Sequence, residues 1–441
     1  MSGFATNPPK PACRRLSRPR RSELRLAPIL LAQPRQAAEA ITRWAYLDNN
    51  ATTRTDPEVV RAMLPFLTES FGNPSSSHDL GRAAARAVAA ARRQILALLG
   101  GEHEEEIVFT AGATEANNAA LRQALGREAR DEVVVSAVEH PAVLAVCAGL
   151  EQSHGRRVHR IGVDRRGRLD VAAYRRALGR RTALASIMWA NNETGTIFPV
   201  AELADLAHEA GALFHSDATQ AVGKIGVDLR SARVDMLSLS AHKFHGPKGI
   251  GALYVRKGTE FAGMIRGGRQ ERGRRAGTEN GPGIVGLGAA AALAQARRDD
   301  DAVRIAGLRD RLERSILAAI DDCFALGDVE NRLPGAAAIA FAGADSEEIL
   351  LNLNKARIAA SSGSACASGA MAPSHVVRAM RVPYWAAHGV VRFSLSRDNA
   401  NADIDRVVDA LPSIIAASRA GSPFLARRSS GASAQPGAPG R

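Results

Sequence analysis

The chain has 441 residues, 46% of them hydrophobic, a formal net charge of +13 and four cysteines. That length exceeds one ordinary core and predicts two domains. No apolar run approaches the ~20 residues of a membrane span. Cys13, Cys147, Cys323 and Cys366 are scattered without a CxxC pair, which excludes a disulfide framework and fits a reducing cytosol. Residues 1–43 and 421–441 hold ten of the thirteen net charges, in sequence rich in Pro, Ser, Ala and Gly. Both ends read as disordered tails. The first reads either as an Arg-rich transit peptide or as an over-long start. With the charge in the tails and aromatics at only 4%, the core lacks the stacking pattern of a nucleic-acid binder.

Folding signals begin at Trp44. AYLDNNATT (45–53) is a short apolar strand ending in Asp48, Asn49 and Asn50, and Asp56-Pro57 starts a helix with Asp as cap and Pro in the first turn. A helix over 82–99 stops at Gly100-Gly101. From residue 107 apolar strands alternate with helices: Ile107–Thr110, Val133–Ala137, Ala183–Trp189, Ala212–Ser216, Met236–Leu239 and Ala252–Val255. That rhythm predicts an α/β fold with a mainly parallel sheet covered on both faces. The Gly/Arg segment RGGRQERGRRAGTEN (266–280) reads as a mobile loop, and 282–325 as one long helical region. Further strands are expected at Ala336–Phe341 and Val390–Leu395, with helices around 346–355 and 401–418.

Ligands of such sheets bind at the carboxyl ends of the strands, and the polar motifs fall there. AGATEANN offers Ala113 and Thr114 at a helix start, suited to a phosphate. Next come His140, then Asn192 in ANNETG, then Asp217 with Gln220 in DATQAVG. Ser240-Ala241-His242-Lys243 closes the series, in SLSAHKFHGPKG. A lysine in a tight Gly/Pro turn beside two histidines loses basicity and becomes a competent nucleophile for a carbonyl. A Schiff-base lysine, an acid for a pyridinium nitrogen, a phosphate-binding helix start and a stacking imidazole together specify pyridoxal phosphate. Downstream, Cys366 stands in an Ala/Ser/Gly run with no apolar neighbours to bury it, which favours a reactive thiol. Cys147 and Cys323 read as buried residues in apolar helical surroundings. Arg392, in the strand VVRFSLS, points opposite to Val391 and Phe393 and reads as a carboxylate contact or a domain salt bridge.

YLDNNATT, FGNPSS, TEANN, EHPAV, ANNETG, DATQAVGK, SAHKFHGPKG, QERGRRAGTEN, SSGSAC and VRFSLSR stand in one order from about Tyr46 to Ile415. In this the chain resembles the cysteine desulfurases, a class V group of the fold-type-I pyridoxal phosphate enzymes, and most closely their nitrogen-fixation (NifS-type) branch. The resemblance implies a large domain with a mainly parallel seven-stranded sheet and a smaller α+β C-terminal domain. It implies that Lys243 holds the cofactor aldehyde, Asp217 pairs with the pyridine nitrogen, His140 stacks on the ring and shuttles protons, and Gln220 contacts the phenolic oxygen. Ala113, Thr114, Ser240, Ala241 and His242 would surround the phosphate, with Thr278 reaching in from the other subunit of a homodimer. Asn192 and Arg392 would hold the substrate carboxylate. Cys366 would take sulfur from L-cysteine as a persulfide, leaving L-alanine, and would pass it to an iron–sulfur scaffold protein, with Cys366 itself a transient iron–sulfur ligand. Ala111, Ala113 and Ala241 depart from the usual Ser or Gly neighbours but stay small.

The expected organisation is a disordered basic extension (1–43), a segment packing with the small domain (44–56), a cofactor domain (57–300), a C-terminal domain carrying the Cys loop (301–420) and a tail (421–441). The expected role is sulfur supply for iron–sulfur clusters, nitrogenase maturation among them, in a bacterial cytoplasm, or in an organelle if the first residues are a transit peptide. A selenocysteine lyase or another carbon–sulfur lyase is the alternative on the same fold, and a basic nucleic-acid-binding protein the alternative from another class.

Overall fold

The structure, a computed structural model, describes residues 44–127, 129–363 and 372–421. Within them the strands are β1 (Ala45–Tyr46), β2 (Ile107–Thr110), β3 (Glu132–Ser136), β4 (Arg157–Ile161), β5 (Thr182–Ser186), β6 (Leu213–Asp217), β7 (Met236–Ser240), β8 (Gly251–Val255), β9 (Cys323–Leu326), β10 (Ala336–Phe341), β11 (Ile358–Ala359) and β12 (Val390–Ser394). A seven-stranded sheet has the order β2-β8-β7-β6-β5-β3-β4, parallel from β7 to β4, with β8 antiparallel to both its neighbours. Strands β5, β7 and β8 are buried at every position, as continuous apolar strands covered on both faces must be. This bears out the expected α/β fold. Gly251 sits where β8 meets the site: a Cβ there would lie 2.4 Å from the Leu239 carbonyl and 2.8 Å from Gly112 Cα, so only glycine permits that approach.

β12-β10-β9 form an antiparallel sheet with its own apolar cluster around Ile339, Phe341, Val391 and Phe393, against the helices Ser346–Lys355 and Asn401–Gly421. The first described residues join this region. β1 pairs parallel with β11, Ala45 opposite Ile358, and the Asn49 amide donates to the Ser394 carbonyl. Asp56 caps the helix Pro57–Met63 by accepting from the Glu58 amide at 2.7 Å, with Pro57 in its first turn. Gly100 closes Asp79–Leu99 in the left-handed region at φ 67°.

Three expectations are corrected. Strand β4 does not stand out in the sequence because it lies at the sheet edge and keeps Arg157 and Arg160 outward, leaving only Val158 and Ile161 as apolar marks. The helical region expected over 282–325 ends at Ala319, and Cys323–Leu326 pairs with β10 as an edge strand. Cys323 is therefore in a strand, its Sγ 3.0 Å from the Ile320 carbonyl, whereas Cys147 is fully buried in the helix Pro141–His154. The Gly/Arg segment 266–280 is tied down rather than loose. Arg92 grips Glu271 through two nitrogens at 2.7 and 3.0 Å, Phe109 N donates to the same carboxylate at 3.1 Å, and Arg275 pairs with Glu115 at 3.0 Å. Buried carboxylate–guanidinium pairs offset the hydration such charges give up. Composition alone cannot show that partner.

Candidate active site

The carboxyl ends of β3, β5, β6 and β7 open into one cavity of about 540 Å³. Ala113, Thr114, His140, Asn192, Asp217, Gln220, Ser240, His242, Lys243 and Arg392 all line it. The expected residues scattered over 280 positions are thus brought together. Ala241 lies behind them, fully buried at the start of the turn Ala241–Lys243. Thr278 is exposed and does not line this cavity. Cys366 lies outside the described residues, but Gly363 before it and His375 after it are both cavity residues.

The floor is Asp217, the last residue of β6 and 6% exposed. Asn117 Nδ2 donates to one oxygen at 2.7 Å and the Thr219 amide to the other at 3.0 Å, which fixes the carboxylate plane. Beside it, His140 accepts from the Ala142 amide through Nδ1 at 3.1 Å, capping its helix. Its proton therefore sits on Nε2. Burial lowers its pKa, with Asp217 opposing that and Lys243 and His375 adding to it, which favours the neutral imidazole with Nε2–H as its donor. His242 is pushed down to about 4 by burial and by Lys243, Lys248 and Lys224. The helix Ala113–Leu121 points its first turn into the cavity, with Gly112 as a cap that offers no side chain. The first amides of the helix are left to a ligand.

The opposite wall comes from residues 48–52 and from β12. Lys243 Nζ donates to the carbonyls of Asn50 and Ala51, both at 2.8 Å. Arg392 is 2% exposed; its Nη1 reaches the Asn192 and Gly363 carbonyls at 2.9 Å each, and its Nη2 reaches Asp48 Oδ1 at 2.7 Å. Nε has no partner among the described residues. A guanidinium carries five N–H donors; three are engaged and two remain, the number that a carboxylate fork takes. The residues fit a phosphorylated aromatic aldehyde. They provide an amine inside the cavity, a held carboxylate on its floor, an uncapped helix start with Ser240 and His242 beside it, and an arginine with two spare donors.

Sequence reasoning assigned no role to Asp48, Asn50, Asn117, Lys224, Glu193 or His375. Asn117 had a signal, one turn after Thr114 on the same helix. Lys224 had one too, four residues after Gln220. Asp48 and Asn50 stand in a quoted motif, but their partners lie 142 to 344 residues away. Among the described residues no group of three His, Cys, Asp or Glu is placed to hold a metal, and no helix is long and apolar enough to cross a membrane.

The family described as Aminotransferase class-V matches residues 45–407. A protein of Gluconacetobacter diazotrophicus described as a cysteine desulfurase is 64% identical over 380 residues, 86% of this chain and 95% of that protein. The cysteine desulfurase NifS of Azotobacter vinelandii is 53% identical over 380 residues, 86% of this chain and 94% of that protein. Among solved structures, one described as a NifS-like protein superposes with a TM-score of 0.79 at 34% identity, over 85% of this chain and 99% of its own.

Proposed function

Since the chain belongs to the aminotransferase class-V family and to its cysteine desulfurases, we propose that it takes sulfur from L-cysteine, with pyridoxal phosphate as cofactor, and leaves L-alanine. The observation that carries this reading is the convergence of Lys243, Asp217 and Arg392 on one cavity from three distant parts of the chain. When bound, the cofactor supplies an aldehyde for the substrate amine and an electron sink for Cα. Lys243 would hold the aldehyde and, once released, move the Cα proton. Asp217 would hold the pyridine nitrogen, with Asn117 and Thr219 fixing its plane. Asn192 and the two spare donors of Arg392 orient the substrate carboxylate. His140 would serve as the proton shuttle, with its Nε2–H as the proton it can give. The Cys366 thiolate bonds to the substrate sulfur as the Cβ–S bond breaks, leaving a persulfide on Cys366 and an alanyl fragment that takes up protons. The cavity residues Gly363 and His375 on either side of Cys366 support its part.

The acceptor is an iron–sulfur scaffold protein, the setting a bacterial cytoplasm, and nitrogenase maturation a destination consistent with the NifS relative. The working unit is a homodimer. Exposed Val60, Leu64, Leu67, Phe71 and Leu80 give residues 60–80 the apolar surface that a partner copy covers, and Thr278 is left free to serve the other copy's site. The cofactor lobe spans 57–300 and the lobe bearing Cys366 spans 301–420. The test is alanine release from L-cysteine, with mass spectrometry of the Cys366 peptide. Wild type gives alanine and a peptide one sulfur heavier. Cys366→Ala binds cofactor but releases almost no alanine. Wild-type rates in Cys366→Ala, or the extra sulfur on Cys147 or Cys323, would overturn the assignment.

A further inference from the structure

Lys224 takes no part in the steps above, yet its head group reaches two residues that line the cavity, Gln220 and Asn50. Nζ lies 2.6 Å from Gln220 Oε1 and 2.8 Å from Asn50 Oδ1. Among the described residues no carboxylate lies within ion-pair distance of it; burial, with the cations Lys243 and Arg392 adding to it, holds its pKa well below the ordinary lysine value. Gly223 makes the placement possible. It turns the chain at φ 77°, and a Cβ there would lie 2.6 Å from Phe244 Cβ.

A lysine head group donates and never accepts, whereas a carboxamide presents an oxygen on one side and an NH₂ on the other. Each of the two amides accordingly turns its oxygen to the Lys224 N–H groups. For Gln220 this turns Nε2 the other way, where one hydrogen goes to the Asn50 carbonyl at 2.9 Å and the second is available to the cavity that Gln220 lines. For Asn50 it turns Nδ2 onto the Asn192 carbonyl at 3.1 Å, the same carbonyl that Arg392 holds. The Lys224 head group on one side and two backbone carbonyls on the other set the polarity of both amides.

We infer that Lys224 is a positioning residue that locks Gln220 so that it presents an N–H donor, and not an acceptor, to an anionic oxygen in the cavity. This rests on the reading in which Gln220 contacts the phenolic oxygen of pyridoxal phosphate. Without Lys224 only the Asn50 carbonyl still holds the Gln220 amide, through Nε2, and the donor it presents to that anion is less firmly fixed. A weakened donor to the anionic oxygen favours the protonated form of the Lys243–cofactor linkage and raises its titration midpoint.

The experiment is a pH titration of the visible absorbance of purified holoenzyme for wild type, Lys224→Met, Lys224→Gln, Lys224→Arg and Gln220→Leu. Circular dichroism checks that each is folded. Lys224→Met and Lys224→Gln should shift the midpoint upward by about one pH unit, the scale of one lost hydrogen bond. Gln220→Leu should shift it the same way, and Lys224→Arg, which keeps a donor-only head group, should restore the wild-type midpoint if either neutral variant has moved it. A shift in Gln220→Leu with none in Lys224→Met or Lys224→Gln overturns the inference and leaves the Gln220 contact standing. No shift in Gln220→Leu overturns that contact and the inference with it. A shift that Lys224→Arg does not reverse assigns Lys224 to packing alone.

Discussion

The two walls of the cavity are built differently. One wall is local: Asp217 ends β6, Ser240 ends β7, Lys243 follows within three residues, and His140 caps the helix that follows β3. Each side chain is delivered by the strand that precedes it. The other wall is assembled across the chain: Asp48 holds Arg392 over 344 positions, and Asn50 holds Asn192 over 142. On the proposed function the local wall would hold the cofactor and move protons, and the assembled wall would receive the substrate carboxylate. Substitutions on the first wall should lower turnover, and those on the second should raise KM.

The largest expected effect breaks the first wall outright. Lys243→Ala removes the amine, and alanine release should fall to background with the fold intact by circular dichroism. Next is Asp217→Asn, which keeps the shape but removes a preorganised charge. Turnover should drop by about 3 kcal/mol of barrier, roughly a hundredfold, with KM little changed. Equal turnover in the variant would make Asp217 structural. On the second wall, Arg392→Lys keeps the charge and loses the fork. KM for L-cysteine should rise by about 2 kcal/mol, some thirtyfold, with turnover nearly kept; a drop in turnover alone would erase the distinction between the walls.

The walls also differ in how far the sequence discloses them. The six buried strands of the large sheet were legible from apolar runs, and their ends pointed to His140, Asn192, Asp217 and Lys243 because α/β sheets bind ligands there. Edge strands β4 and β9 were not, since one is half polar and the other follows a long helical pattern without a break in composition. Glu271 looked solvated because its partner Arg92 is 179 residues away. Asp48 and Asn50 were visible as a motif, but their roles come from tertiary contacts that no local pattern encodes. Lys224 had the spacing of a helical turn from Gln220, and only the burial of Gln220 and its contact with Lys224 turned that spacing into a constraint.

A smaller effect tests the support behind the first wall. Glu139 is fully buried beneath His140, accepts from Ser136 Oγ at 2.6 Å and from the Met188 amide at 2.9 Å, and burial pushes its pKa up to about 8. A raised carboxyl favours the protonated form in the fold. Its contribution is whole below the ordinary 4.5 and is lost as pH rises through about 8. Glu139→Gln cannot ionise, so its melting temperature should fall less than that of wild type between pH 5.5 and pH 8.5. Parallel curves would place the ionisation elsewhere.

Three lysines line or border the cavity: Lys243, Lys248 and Lys224. Lys243 is the proposed anchor of the cofactor, and Lys224 the proposed positioning group. Borohydride reduction of the holoenzyme, followed by peptide mass spectrometry, distinguishes them directly. The phosphopyridoxyl mass should appear on the peptide bearing Lys243, at that residue and at neither of the others. The same mass on Lys224 or Lys248, or no such mass in protein that releases alanine, would contradict the assignment of Lys243.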